Sequence, residues 1–105
     1  MKIYLDDVRS APNGWIRACT SKEAIDLLQH NNVEEISLDH DLNRKFDKMS
    51  LDELKAHPEI DTGMQVVEWL INNPDKLPPK WDCHSSRMRC NEAMSKLLNS
   101  VERKK

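Results

Sequence analysis

The chain has 105 residues, with 16 basic and 18 acidic side chains and a formal net charge of −2. That length supports a single domain, since domains cluster around ~100–150 residues. The near-neutral balance excludes the broad basic face that general nucleic-acid or anionic-membrane binding needs, and no run of ~18 apolar residues offers a membrane span.

Three cysteines, Cys19, Cys83 and Cys90, follow no leader-like segment. An odd count without a secretory signature reads as a protein of the reducing cytoplasm. The spacing of Cys83, His84 and Cys90 matches no common zinc pattern.

In chain order, residues 2–5 form a short apolar run that stops at Asp6-Asp7, which predicts a buried strand. Ser10, Ala11, Pro12, Asn13 and Gly14 make a turn cluster, and residues 15–19 are a second strand candidate. Only nine residues separate Leu5 from Trp15, with no helix signal. A parallel crossover usually takes about a dozen or more, so this predicts either a tight crossover or a short, irregular second strand. Thr20 and Glu23 form a capping box that opens a helix carrying Ala24, Ile25, Leu27 and Leu28 and ending near Asn31-Asn32. Residues 35–38 predict a third strand, stopping at Asp39-His40-Asp41.

Residues 43–61 are charged and loop-like, with one short helix predicted between Ser50 and Pro58. Thr62-Gly63 leads into a helix with Val66, Val67, Leu70 and Ile71 on one side, stopped by Asn72-Asn73-Pro74. Residues 80–84 predict a fourth strand. A last helix carries Cys90, Met94, Leu97, Leu98 and Val101 on one stripe. Alternating strands and helices predict an α/β domain with a mostly parallel sheet.

In open parallel sheets, ligands sit beyond the carboxyl ends of the strands. Here strand one ends in Asp6-Asp7, strand three in Asp39-His40-Asp41 and strand four in His84-Ser85-Ser86. Four aspartates gathered there repel one another unless a cation lies among them. Carboxylate oxygens suit Mg²⁺ or Mn²⁺, which in turn recruit phosphate oxygens. Asp6, Asp7, Asp39 and Asp41 are therefore the expected metal ligands. His40 and His84, whose unperturbed pKa lies near neutrality, are the expected acid and base, with Asp39 beside them. Arg9, Arg87, Ser85 and Ser86 flank the same loops and suit the phosphate itself.

The segments Lys2-Ile3-Tyr4-Leu5-Asp6-Asp7-Val8-Arg9, Ile36-Ser37-Leu38-Asp39-His40-Asp41-Leu42, Thr62-Gly63 and His84-Ser85 together resemble the cyclic-phosphate processing receiver domain family. The resemblance covers most of the chain. It implies a small receiver-like, flavodoxin-like three-layer sandwich with a four-stranded sheet lacking the fifth strand. In receivers the positions of Asp6, Asp7 and Asp39 bind a divalent metal, and that of Ser85 supplies a hydroxyl. The family name implies processing of a cyclic phosphate, either a cyclic nucleotide or a 2′,3′-cyclic RNA end. Where the family's fourth-strand motif continues into asparagine, proline and glycine, this chain has Arg87, Met88 and Cys90. A receiver's fifth-strand lysine has no counterpart here, which argues against phosphorelay signalling.

Two other functions remain open at this level. The same pocket could bind and sequester a nucleotide without turnover. Alternatively, residues 43–61 could dock a protein partner.

Overall fold

The computed structural model describes residues 1–40, 42, 61–85 and 88–103. The helix expected between Ser50 and Pro58, and the insertion 43–61 up to residue 60, lie outside the described residues. Four strands form one sheet: β1 (Lys2–Leu5), β2 (Ile16–Ala18), β3 (Glu35–Leu38) and β4 (Lys80–Cys83). Their order is β2-β1-β3-β4 and every pairing is parallel. Three α-helices accompany them: α1 (Ser21–His30), α2 (Gly63–Asn72) and α3 (Met88–Arg103), with a 3-10 turn at Pro74–Lys76.

The awkward connection from β1 to β2 is a tight crossover into a short strand, which pairs parallel with β1. β2 has only three residues, and the loop before it is built by local turns rather than a helix. Trp15 N–H donates to the Pro12 carbonyl at 3.1 Å, and Gly14 sits at φ +87. A turn with a positive φ at its third position asks for glycine there.

Side chains alternate across a strand, so the register sorts them by face. Ile3 pairs with Ile36 and Leu5 with Leu38, and Leu38 pairs in turn with Cys83. This face is apolar, and the helices cover it. α1 packs against β1 and β2, α3 packs against β4, and α2 lies between the two helices. Leu28, Val66, Val67, Leu70, Met94 and Leu98 complete the core with Ile3, Leu5, Ile36 and Leu38, all of them essentially solvent-free. Of the three layers expected, the sheet and this helical layer are formed by described residues. The other face carries Lys2, Tyr4, Arg17, Glu35, Ser37, Lys80 and Asp82.

The helices follow their predicted stripes with two corrections of phase. Ile71 and Leu97 are 39% and 36% exposed. At 100° per residue each falls at the flank of its stripe, so the core is centred on Gly63, Val66, Val67 and Leu70 in α2. In α3 it is centred on Cys90, Met94, Leu98 and Val101.

The capping box of α1 forms with a shift. Glu23 N–H donates to Thr20 Oγ1 at 3.1 Å, while the Glu23 carboxylate reaches back to Cys19 N–H at 3.0 Å. Asp61 adds a second anion at this helix start, accepting from both the backbone N–H (3.0 Å) and the hydroxyl of Ser21. No helix among the described residues is long and apolar enough to cross a membrane.

Candidate functional site

The register that builds the core also builds the site. Leu5, Leu38 and Cys83 are paired across three strands, so Asp6, Asp39 and His84 stand one step further along in the same row. The ladder continues that far: Asp39 N–H donates to the Leu5 carbonyl at 3.0 Å and His84 N–H to the Leu38 carbonyl at 2.9 Å. By alternation these three side chains belong to the face opposite the core, the face of Tyr4 and Ser37. One potential ligand atom from each of Asp6, Asp39 and His84 lies within 4.8 Å of the others.

Asp6 is 1% exposed and well satisfied. Its Oδ1 accepts from the backbone N–H groups of Val8 and Arg9, both at 2.9 Å. Its Oδ2 meets His84 Nε2 at 3.0 Å and Arg9 Nη1 at 3.5 Å. Arg9 Nη1 also donates to the His84 carbonyl at 3.1 Å, so this guanidinium, half-exposed, is anchored at the rim. Arg17 flanks the other side, its Nε–H donating to the Asp6 carbonyl at 3.0 Å.

His84 is held on three sides. Its Nδ1 lies 2.7 Å from Ser37 Oγ and its Nε2 faces Asp6. Its ring stacks on Tyr4, with centroids 4.4 Å apart and planes 8° from parallel. Trp15 meets Tyr4 edge-on at 6.2 Å, and Lys2 Nζ lies over the Trp15 ring.

The charge states follow from these contacts. Burial pushes the Asp6 carboxyl up, but the Arg9 and Val8 amides, then His84, outweigh it and hold Asp6 below the ordinary carboxylate value. Burial pushes His84 down, more than its hydrogen bond to Asp6 raises it, and the Arg9 charge adds to the lowering. At neutral pH the pair is therefore an aspartate and a neutral imidazole.

Both shifts destabilise the fold in acid. The folded chain resists protonation of His84, so below about 6.5 the unfolded state takes up more protons and stability falls. Asp6 adds to the loss below about 3.8. We expect the melting temperature of the metal-free protein to fall between pH 7 and pH 5. His84→Gln should flatten that slope, and a His84→Gln profile parallel to that of the parent would refute the assignment.

The remaining expected residues divide. His40 is only 1% exposed; its N–H donates to Asp39 Oδ1 at 2.9 Å and its carbonyl accepts from Gly63 N–H at 2.9 Å. Asp7 is half-buried and stands outside the three-membered group. Ser85 is buried, and the Asn91 side chain grips its backbone, accepting from Ser85 N–H at 3.0 Å and donating to its carbonyl at 2.7 Å. Asp41, Ser86 and Arg87 lie outside the described residues.

Sequence reasoning missed four contributors. Ser37 was visible as the one polar residue in the run Ile36-Ser37-Leu38, and Arg17 as the one charged residue of the second strand candidate. Tyr4 was hidden by being counted as part of an apolar run. Asn91 gave no signal, because its role depends on how the chain turns into α3.

The donor set fits a divalent cation: two buried carboxylates and one neutral imidazole converge where like charges would otherwise stand together.

A parallel β2-β1-β3-β4 sheet with acidic residues closing its two central strands is a receiver-like domain. The family model described as the cyclic-phosphate processing receiver domain matches residues 1–100, and the chain belongs to that family. Neither a curated protein nor a solved structure matches the chain.

Proposed function

We propose that this domain is a metal-assisted phosphoesterase of the cytoplasm that opens a cyclic phosphate, on a cyclic nucleotide or a 2′,3′-cyclic RNA end. The observation that carries the reading is the convergence of Asp6, Asp39 and His84 within 4.8 Å. A divalent cation, Mg²⁺ or Mn²⁺, would supply positive charge to the phosphoryl oxygens and make water a better nucleophile. Asp6 and Asp39 contribute its carboxylate oxygens, and His84, kept neutral by burial, offers a nitrogen lone pair. Arg9, fixed by its contacts to Asp6 and the His84 carbonyl, holds a nonbridging oxygen from the rim. The Ser85 hydroxyl holds another. His40, whose side chain is buried, is given no proton-transfer role in this proposal. Water adds to phosphorus, one ring P–O bond breaks, the proton lost by that water ends on the leaving oxygen, and an open phosphomonoester results.

The test is direct. The protein is incubated with Mn²⁺ and a panel of 2′,3′- and 3′,5′-cyclic nucleotides and a 2′,3′-cyclic-ended oligonucleotide, and followed by ³¹P NMR. We expect conversion of at least one to its linear monoester. Tight binding with every ligand recovered intact would replace this reading with sequestration.

A further inference from the structure

Ser37 has no part in the function as proposed, yet it is the closest polar neighbour of His84. It lies in β3, two residues before Asp39, on the face shared with Tyr4. It is 7% exposed, and its Oγ stands 2.7 Å from His84 Nδ1. The other ring nitrogen, Nε2, faces the ionised Asp6 carboxylate at 3.0 Å.

For a neutral imidazole, the form that a metal ligand must take, this geometry decides which ring nitrogen carries the proton in the metal-free site. A carboxylate only accepts, so the single proton of the neutral imidazole must sit on Nε2 and be donated to Asp6. Nδ1 is then a bare acceptor, and the Ser37 hydroxyl must donate to it. Ligation of a cation through Nε2 demands the opposite tautomer, with Nε2 bare and the proton on Nδ1. Nδ1–H then needs an acceptor, and the atom in place is the same Ser37 Oγ. A hydroxyl is the smallest group that can serve both states, since it donates or accepts after a simple rotation. An alanine serves neither. The Tyr4 ring, stacked 8° from parallel on the imidazole, keeps the ring from turning to find another partner.

We propose that Ser37 is a positioning residue for the metal site: its hydroxyl reverses direction as His84 changes tautomer, letting the imidazole exchange Asp6 for a divalent cation without moving. The proton count is unchanged. One proton leaves Nε2, one arrives at Nδ1, and the Ser37 O–H rotates away. This inference rests on the metal reading above and adds a residue and a proton inventory to it.

The experiment uses the full chain with ¹⁵N-labelled histidine, Zn²⁺ as a diamagnetic probe, and Mn²⁺ calorimetry. In the metal-free protein the His84 proton is expected on Nε2, and on Zn²⁺ binding it is expected on Nδ1. A proton on Nδ1 before metal, or one still on Nε2 after it, overturns the proposal. Ser37→Ala should bind Mn²⁺ about 10-fold more weakly, and Ser37→Thr, which restores the hydroxyl, within about 3-fold of the parent. Equal affinity for the alanine variant overturns the role of Ser37 while leaving the metal site standing. Failure of the parent chain to bind either cation removes the metal reading, and this inference with it.

Discussion

Asp39→Asn is expected to lower Mn²⁺ affinity by more than about 100-fold while leaving the metal-free domain within about 2 kcal/mol of the parent's stability. Asp39 is 8% exposed and brings a carboxylate oxygen within 4.8 Å of one on the buried, ionised Asp6. Two carboxylates so placed oppose each other unless a cation lies between them. Asparagine has nearly the same size and shape, so it disarms the ligand set with little change in packing. One contact survives the change, because His40 N–H needs only a carbonyl-type oxygen, which asparagine retains. Thermal unfolding and calorimetry on the same preparation would separate the possibilities. A variant that binds Mn²⁺ within about 3-fold of the parent would show that the cation sits elsewhere. A variant that loses more than about 2 kcal/mol of stability would show that the carboxylate is there for the fold.

The same opposition explains which parts of this protein are legible in the sequence. Strand ends are readable because a buried apolar run must stop where charged side chains begin, and β1, β3 and β4 all stop within a residue of the expected place. The convergence of Asp6, Asp39 and His84 is readable for the same reason, since a parallel sheet brings such stops to one edge. What the pattern does not carry is the phase within the row. Asp6 and Asp7 are equivalent by sequence, but the pairing of Leu5 with Leu38 puts Asp6, not Asp7, on the face of Ser37 and His84. His40 is separated from Asp39 by the same rule and belongs to the other phase. Contacts between elements are less legible still. Asp61 clamping Ser21 across 40 positions, and Asn91 holding the Ser85 backbone, use side chains whose own neighbourhoods predict only exposed loop and helix. Ser37 is the instructive middle case. A polar residue inside an apolar strand is a visible exception, and it marks the one place on β3 where the sheet serves the site rather than the core.

Gly63→Ala should be the most damaging single-methyl change in the domain, costing about 3 kcal/mol or more and lowering the melting temperature by roughly 12 °C or more. Helix propensity alone argues the reverse, since alanine in a helix is favoured over glycine by about 1 kcal/mol. Packing overrides it. Gly63 opens α2 and donates its N–H to the His40 carbonyl at 2.9 Å, so the helix start is pressed against the end of β3 backbone to backbone. A β-carbon built on Gly63 falls 1.9 Å from the Asp39 carbonyl oxygen and 3.0 Å from its carbon. Neither is the tip of a flexible side chain that could swing aside, so either α2 lifts from the sheet or the strand end carrying Asp39 moves. Lifting α2 also disturbs Val66, Val67 and Leu70, all of them fully buried. Moving the strand end displaces Asp39 from Asp6 and His84. The variant should therefore lose Mn²⁺ affinity along with stability, whereas Asp39→Asn loses only the former. An alanine variant that melts at or above the parent temperature would mean that α2 does not dock on β3 as closely as these distances require, and the placement of Asp39 would have to be redrawn.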